Sequence, residues 1–149
     1  MPLYFAFGSN MDAAQMARRC PGAEPLGLGT LAGHRLVFRG PSRKRGGGVL
    51  SVDLSPVDAV EGILYSVTVD HLEALDRYEG APQWYVRAER VVEASTGGPQ
   101  EAVIYRLPEH VTELPPTAAY LAQVAEAFAT HGLDPGPLHE ATDRAKVAG

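Results

Sequence analysis

The carboxyl group of Glu79 lies where the sequence predicts that a helix ends. Apolar residues repeat at helical spacing across Leu72–Tyr78, and Gly80 is the residue type that most often follows a last helical turn. The free carbonyls of a helix C-terminus carry partial negative charge, so we expect the pKa of this carboxyl to lie above its usual ~4.3. Three neighbours would desolvate it further: Leu75, Tyr78 and Trp84. Such a group suits a general base, whereas the plainer interpretation is a solvent-facing glutamate.

A second candidate is the junction at Gly8-Ser9-Asn10. The apolar run Leu3–Phe7 is typical of a buried strand, and a helical pattern begins at Met11 with Asn10 as its predicted N-cap. A turn from strand to helix directs free backbone N–H groups at one spot, where a carboxylate or a developing oxyanion binds. The alternative is an ordinary capped turn, in which Ser9 and Asn10 serve only to begin the helix.

The segment from Arg39 to Gly48 is polar, basic and rich in glycine, which predicts a mobile loop. Its side chains Arg43, Lys44 and Arg45 follow one another and carry three positive charges. They either attract an acidic substrate or are simply solvated.

The chain offers little for metal binding or nucleophilic catalysis. Cys20 is its only thiol, and its five histidines lack the spacing of a zinc site, so no metal is predicted. The glycine-rich loops that bind dinucleotides or phosphates and the serine elbow of hydrolases are also missing.

Composition narrows the class of protein further. The 149 residues have a formal net charge of −5, which argues against a nucleic-acid partner. No apolar run is long enough to span a membrane, and the first residues do not resemble a signal peptide. The lone cysteine fits a reducing compartment, so a cytoplasmic protein is expected. The sequence does not decide the oligomeric state, and both a monomer and a homodimer are compatible with it.

Hydrophobic periodicity predicts an α+β chain of about seven short strands and three helices. We expect a small mixed β-barrel with flanking helices, formed by one domain over residues 1–149, with a tail after about residue 138 that is either a short helix or flexible. A turn is predicted at Gly33, and a strand end at Ser55-Pro56. Asp70 with Glu73 has the spacing of an N-terminal capping pair.

In combination these segments resemble the γ-glutamylcyclotransferase-like family. Five of them agree with its motifs in order: Tyr4–Asn10 with Y-x-x-Y-G-S-N, Gly47 to Pro56 with G-G…S-P, Val60–Tyr65 with V-x-G-x-x-[WY], Leu72–Gly80 followed by Tyr85 with L-x-x-L-D-x-x-E-G…Y, and Pro115–Tyr120 with P-P-S-x-x-Y. Tyr105 ends a further matching strand, and the match extends from about Leu3 to Phe128.

The resemblance implies a barrel of five to six strands, no metal and no organic cofactor. It implies that 5-oxoproline is released from a small γ-glutamyl amino acid or amine, when the α-amine of the substrate attacks its own γ-carbonyl. Glu79 takes the position of the catalytic acid and base. The substrate-binding positions fall on Tyr4, Phe5, Ala6, Phe7, Gly8, Ser9, Asn10 and Tyr120.

The sequence departs from the family motifs at two positions. Phe7 stands where the signature has tyrosine, which removes a hydroxyl group, and Thr117 replaces serine. Alternatives to the cyclotransferase are therefore a non-catalytic module that binds small ligands on the same fold, a lyase for a γ-glutamyl-protected metabolite, and an interaction domain.

Overall fold

The computed structural model describes residues 1–148, which contain five strands and four α-helices. The strands are β1 (Leu3–Ala6), β2 (Glu24–Arg39), β3 (Val49–Ser66), β4 (Val86–Ala94) and β5 (Gly98–Arg106). The helices are α1 (Ala13–Arg19), α2 (Val69–Glu79), α3 (Ala118–Thr130) and α4 (Gly136–Ala148), and a 3-10 turn covers Ser9–Met11.

The strands close into a barrel in the order β1-β3-β2-β4-β5. Neighbours along this order pair antiparallel, except that β1 pairs parallel with β5 where Tyr4 lies opposite Val103. Since β1 lies between β3 and β5, its residues reach the centre of the fold, and Phe5 is fully buried there. The expected α+β barrel is confirmed.

The seven predicted segments merge into five strands because β2 and β3 are long and bent. Their ladder changes register between Ala32 and His34, where Gly33 adopts a positive φ of 76°. Residues 55–58 of β3 lie outside the ladder at this point, yet the backbone stays extended through Ser55-Pro56. A bulge of β3 opposite Gly33 therefore replaces the predicted turn, since extra residues bend a strand without ending its pairing.

Two predicted helix caps are wrong by two residues. Asp12, and not Asn10, caps α1, because its carboxylate accepts hydrogen bonds from the backbone N–H groups of Ala14 and Gln15. Thr68, and not Asp70, caps α2 through the N–H of His71. Short polar side chains at neighbouring positions compete for a cap, and the sequence does not show which backbone is extended.

The segment after residue 138 lies in α4, which covers 136–148, while Gly149 lies outside the described residues. Leu138 and Ala145 are buried, and the guanidinium of Arg144 donates to the carbonyl of Leu36 on β2 at 2.6 Å. The helix therefore packs against the barrel. Over residues 1–148, none of the helices has the length and apolar character needed to cross a bilayer.

The basic segment between β2 and β3 forms hydrogen-bonded turns beside the barrel opening. The N–H of Ser42 donates to the carbonyl of Gly47, and that of Gly46 donates to Ser42. The N–H of Gly48 donates to Pro115, which ties the segment to the chain before α3. The expected loop is thus fastened at both ends, and its cationic side chains lie over the site described next.

Candidate active site

Glu79 is the last residue of α2, and the chain turns sharply after it. Gly80 adopts the left-handed conformation with φ 67°, and its N–H donates to the carbonyls of Asp76 and Arg77. Glycine adopts this conformation at no steric cost, so the helix ends here. The side chain of Glu79 is 16% exposed, which excludes the solvent-facing glutamate that the sequence left open.

The turn after β1 lies directly against this carboxyl group. The side-chain amide of Asn10 donates to Oε1 of Glu79 at 3.2 Å and to the hydroxyl of Tyr4 at 2.9 Å. The turn is closed by hydrogen bonds from the backbone N–H of Met11 to Gly8 and of Asp12 to Ser9. The strand–turn–helix junction and the helix-end carboxyl group therefore form one site.

Burial is the main influence on the pKa of Glu79. Loss of water around the carboxylate raises this pKa above its usual value. Positive charges on Arg19, Lys44 and Arg45 act in the opposite direction, and so does the hydrogen bond from Asn10. The closest of these charges belongs to Arg19, whose Nη1 lies 3.7 Å from Oε1 of Glu79. Because the net shift is upward, the carboxyl group is a stronger base than a free glutamate.

The three residues expected to desolvate Glu79 differ in their own burial. Leu75 is fully buried and Trp84 is partly buried against the core. Tyr78 is different, because it is 41% exposed and its ring lies 4.8 Å from the guanidinium of Arg19 and 5.2 Å from the ammonium of Lys44. Its ring therefore lies against two cations.

Two neighbouring hollows share Glu79 as a lining residue. The inner one is a recess of about 40 Å³, and the outer one is a chamber of about 590 Å³. Both are lined by Ser9, Glu79, Tyr85 and Tyr120. A volume of 40 Å³ is little more than that of one water molecule, roughly 30 Å³, so a ligand has to occupy the chamber as well.

Tyrosine hydroxyls surround the recess and stay protonated at neutral pH. The backbone N–H of Leu50 donates to the hydroxyl of Tyr120 at 3.1 Å, and the hydroxyl of Tyr85 donates to the Leu50 carbonyl at 2.8 Å. Burial raises the pKa of Tyr120 to about 12 and those of Tyr4 and Tyr85 well above 10. They can therefore act as neutral hydrogen-bonding groups.

Most of the predicted substrate-binding residues line the recess, namely Tyr4, Phe7, Gly8, Ser9, Asn10 and Tyr120. Phe5 and Ala6 do not line either hollow. They are 0% and 1% exposed, because β1 is flanked by strands on both edges and these two residues pack into the core. The motif therefore contains core residues as well as site residues.

A polar network that the sequence did not predict holds the turn in place. The side-chain amide of Gln15 donates to Oγ of Ser9 and to Oδ1 of Asn10, both at 2.8 Å. Its oxygen accepts from Arg45 at 3.0 Å and from Gln123 at 2.8 Å. Arg45, noted only as part of a basic segment, is thus linked to the turn. Nothing in the spacing of Gln15 and Gln123, which lie on different helices, signals this contact.

Within residues 1–148, histidine, cysteine, aspartate and glutamate side chains do not gather in groups of three or more that would hold a metal ion.

These features define the class of protein: a small α+β barrel with a buried, weakly acidic carboxyl group beside a strand–turn–helix junction. The sequence profile of the gamma-glutamyl cyclotransferase, AIG2-like family matches residues 4–122, and the chain belongs to this family. The closed α+β barrel agrees with this membership.

Proteins of known name are similar over most of the chain. A gamma-glutamylcyclotransferase of Bos taurus is 28% identical over 136 residues, which cover 88% of this chain and 72% of that protein. The Homo sapiens protein of the same name is 26% identical over 135 residues, with the same coverage. A solved gamma-glutamyl cyclotransferase structure superposes with a TM-score of 0.83 at 26% identity, covering 99% of this chain and 88% of that one. The family and these relatives indicate an enzyme with γ-glutamylcyclotransferase-like activity.

Proposed function

We propose that this protein releases 5-oxoproline from γ-glutamyl amino acids or amines, with Glu79 as general base and then general acid. The observation that carries the proposal is the hydrogen bond between Asn10 and Glu79. It joins a buried carboxyl group of raised pKa to the turn that can bind an anion, inside a hollow open to small molecules.

Ring closure needs no nucleophile from the protein. The α-amine of the γ-glutamyl group attacks the γ-carbonyl carbon in its neutral form, and Glu79 accepts the proton that this nitrogen loses as the new C–N bond forms. The bond between this carbon and the leaving nitrogen then breaks, and protonated Glu79 returns the proton to that nitrogen. The products are a five-membered lactam and a free amine, and the carboxylate is restored.

The turn at Gly8 and Ser9 supports this chemistry through its backbone. Among the described residues, the N–H groups of Gly8 and Ser9 donate to no other protein atom. Two such donors suit either the α-carboxylate of the substrate or the oxyanion that develops on the γ-carbonyl. The chamber also has to fold the flexible γ-glutamyl chain into a ring-closing conformation, and such orientation contributes a large part of many enzymatic rates.

Replacing the base tests the proposal directly. Glu79→Gln keeps the size of the side chain and removes its basicity, so 5-oxoproline release from γ-glutamyl-alanine should fall by a factor of about 10² to 10⁴ or more, with the fold intact. Chromatographic quantification of 5-oxoproline measures this loss, and circular dichroism checks the fold. Glu73→Gln, an exposed change on the same helix, is the matched control.

Two outcomes would contradict the proposal. Full activity of the Glu79→Gln protein would remove the mechanism. A wild-type protein that binds γ-glutamyl-alanine and a panel of γ-glutamyl amines, yet forms no 5-oxoproline from any of them, would be a binding module instead.

A further inference from the structure

Positive side chains dominate the outer chamber of this acidic protein. Five cations and one carboxylate line it, although the chain as a whole has a formal charge of −5: Arg19, Arg43, Lys44, Arg45, Arg77 and Glu79. The lining thus has a formal charge of +4, since five positive charges exceed one negative charge by four. A cleft whose walls share one sign of charge attracts ligands of the opposite sign.

The cations divide into an inner and an outer group. Arg19 and Arg45 contact the turn, through hydrogen bonds to Asn10 at 3.1 Å and to Ser9 at 3.4 Å. Within residues 1–148, Arg43 and Arg77 form no hydrogen bond or ion pair through their guanidinium groups, and both are exposed. The outer cations therefore have charge available for a ligand.

The γ-glutamyl group itself does not balance this charge. It carries one α-carboxylate and one α-ammonium group and is neutral overall. Its reactive end has to lie near Glu79, at the junction of recess and chamber, so the group that leaves extends into the chamber past Lys44 and Arg43. The outer cations therefore interact with whatever charge this leaving group carries.

We propose that the chamber selects γ-glutamyl amino acids whose leaving residue carries a second carboxylate, so that dicarboxylic amino acids are favoured over those with uncharged side chains. This inference rests on the proposed cyclotransferase function and names the substrate class of the same site. Arg43 and Arg77 are its specificity-determining residues, and they act by attracting the second carboxylate of the leaving amino acid.

Two isosteric dipeptides test the inference. γ-Glutamyl-glutamate and γ-glutamyl-glutamine differ only in a carboxylate against an amide on the leaving residue. We expect kcat/KM for the glutamate peptide to be about tenfold higher at low ionic strength, and the ratio to fall toward one at about 0.5 M salt, because salt screens charges at an open surface.

Removing the outer cations should abolish the preference without touching the catalytic groups. The double variant Arg43→Gln/Arg77→Gln is expected to lower the glutamate-to-glutamine ratio of kcat/KM to within about twofold of one, while both peptides still yield 5-oxoproline. The variant Arg35→Gln/Arg90→Gln makes the same change in net charge outside the chamber and should keep the wild-type ratio.

The inference and the proposed function can fail separately. Equal kcat/KM for the two peptides, or a preference that survives the Arg43/Arg77 variant, overturns the inference while 5-oxoproline formation still supports the cyclotransferase. If neither peptide gives 5-oxoproline, the proposed function fails. Calorimetric binding of the same peptides then decides the inference: tighter binding of the glutamate peptide upholds it, and equal binding or none overturns it.

Discussion

Opposing influences meet at the carboxyl group of Glu79. Burial raises its pKa, while three nearby cations and the amide of Asn10 favour the ionised form. The carboxyl group is therefore a stronger base than a free glutamate, and the nearby positive charges stabilise its ionised form. Such a balance is typical of groups that accept and return a proton in one reaction.

The raised pKa of Glu79 predicts a pH-dependent gain in stability for Glu79→Gln. A carboxyl group with a higher pKa in the folded state favours folding below its unfolded pKa, and this contribution is lost as pH rises through the folded pKa. At pH 7 the free energy of unfolding of the variant should therefore equal that of the wild type or exceed it by up to ~2 kcal/mol, a range usual for single stabilising substitutions.

Urea denaturation at pH 7 and pH 4 measures the difference in free energy of unfolding between variant and wild type, which should shrink at pH 4. A variant that is less stable only at pH 7 would contradict the assignment.

Phe7 lines the recess at the position where the family signature has tyrosine. Phe7→Tyr adds one hydroxyl to a hollow of about 40 Å³, so we expect altered turnover or substrate preference, with a smaller effect on kcat/KM than Glu79→Gln has. Steady-state kinetics on a panel of γ-glutamyl amines measures it. An inactive Phe7→Tyr protein would contradict this expectation.

The helix α2 holds Glu79 at one end and a capping box at the other. The hydroxyl of Thr68 accepts from the N–H of His71, and the His71 ring accepts from the N–H of Thr68. Asp76, in the last turn, accepts from the hydroxyl of Tyr105 at 2.6 Å and is paired with Arg87. Both ends of the helix are therefore fixed, and the carboxyl group at its end has a defined position.

Removing the cap should weaken the helix without changing the reaction. Thr68→Ala is expected to lower the free energy of unfolding by about 1 kcal/mol, the usual cost of a lost N-cap. Its kcat should stay near the wild-type value, because Glu79 lies at the opposite end of α2. Thr96→Ala, in an exposed turn, is the control and should change neither quantity. A large fall in kcat for Thr68→Ala would mean that the cap positions the active site.

The sequence predicted the positions of helices and strands well. It predicted the helix caps, the strand irregularity and the contacts between helices less well. Helical and strand periodicities located α2 and β1, and the glycine after Glu79 marked the end of the helix. The bulge opposite Gly33 and the cap at Thr68 depend on which neighbouring backbone is extended, and that is decided by pairing across the barrel. Contacts of Gln15 with Gln123 depend on how two distant helices pack, so local pattern could not reveal them.

At the scale of the whole molecule, two glycines have different roles: one allows close packing of the barrel strands, and the other borders the candidate active site. A side chain on Gly62 would collide with the backbone carbonyl of Ala6 and lie 2.8 Å from the ring of Phe5. One on Gly8 would meet the hydroxyl of Tyr120 at 3.5 Å, an ordinary contact. The first glycine lets β3 approach β1, and the second leaves the recess open.

The two alanine variants should therefore affect different properties: Gly62→Ala should reduce stability, and Gly8→Ala should reduce activity. Gly62→Ala is expected to lower the free energy of unfolding by about 1–3 kcal/mol, because neither backbone can move away freely inside a closed barrel. Gly8→Ala should keep its stability to within about 1 kcal/mol and lose activity, since the added methyl group fills the recess. Thermal denaturation and 5-oxoproline assays on both variants compare these effects, and a stable Gly62→Ala protein would refute the packing argument.

The parallel pairing of β1 with β5 has a consequence for biosynthesis. Tyr4 leaves the ribosome about a hundred positions before Val103, its neighbour in the finished barrel. Contacts between such distant positions form late, since the intervening chain has to be ordered first. Until Val103 has been synthesised, β1 therefore has β3 as its only neighbour in the barrel, and one edge of this aromatic strand stays unpaired.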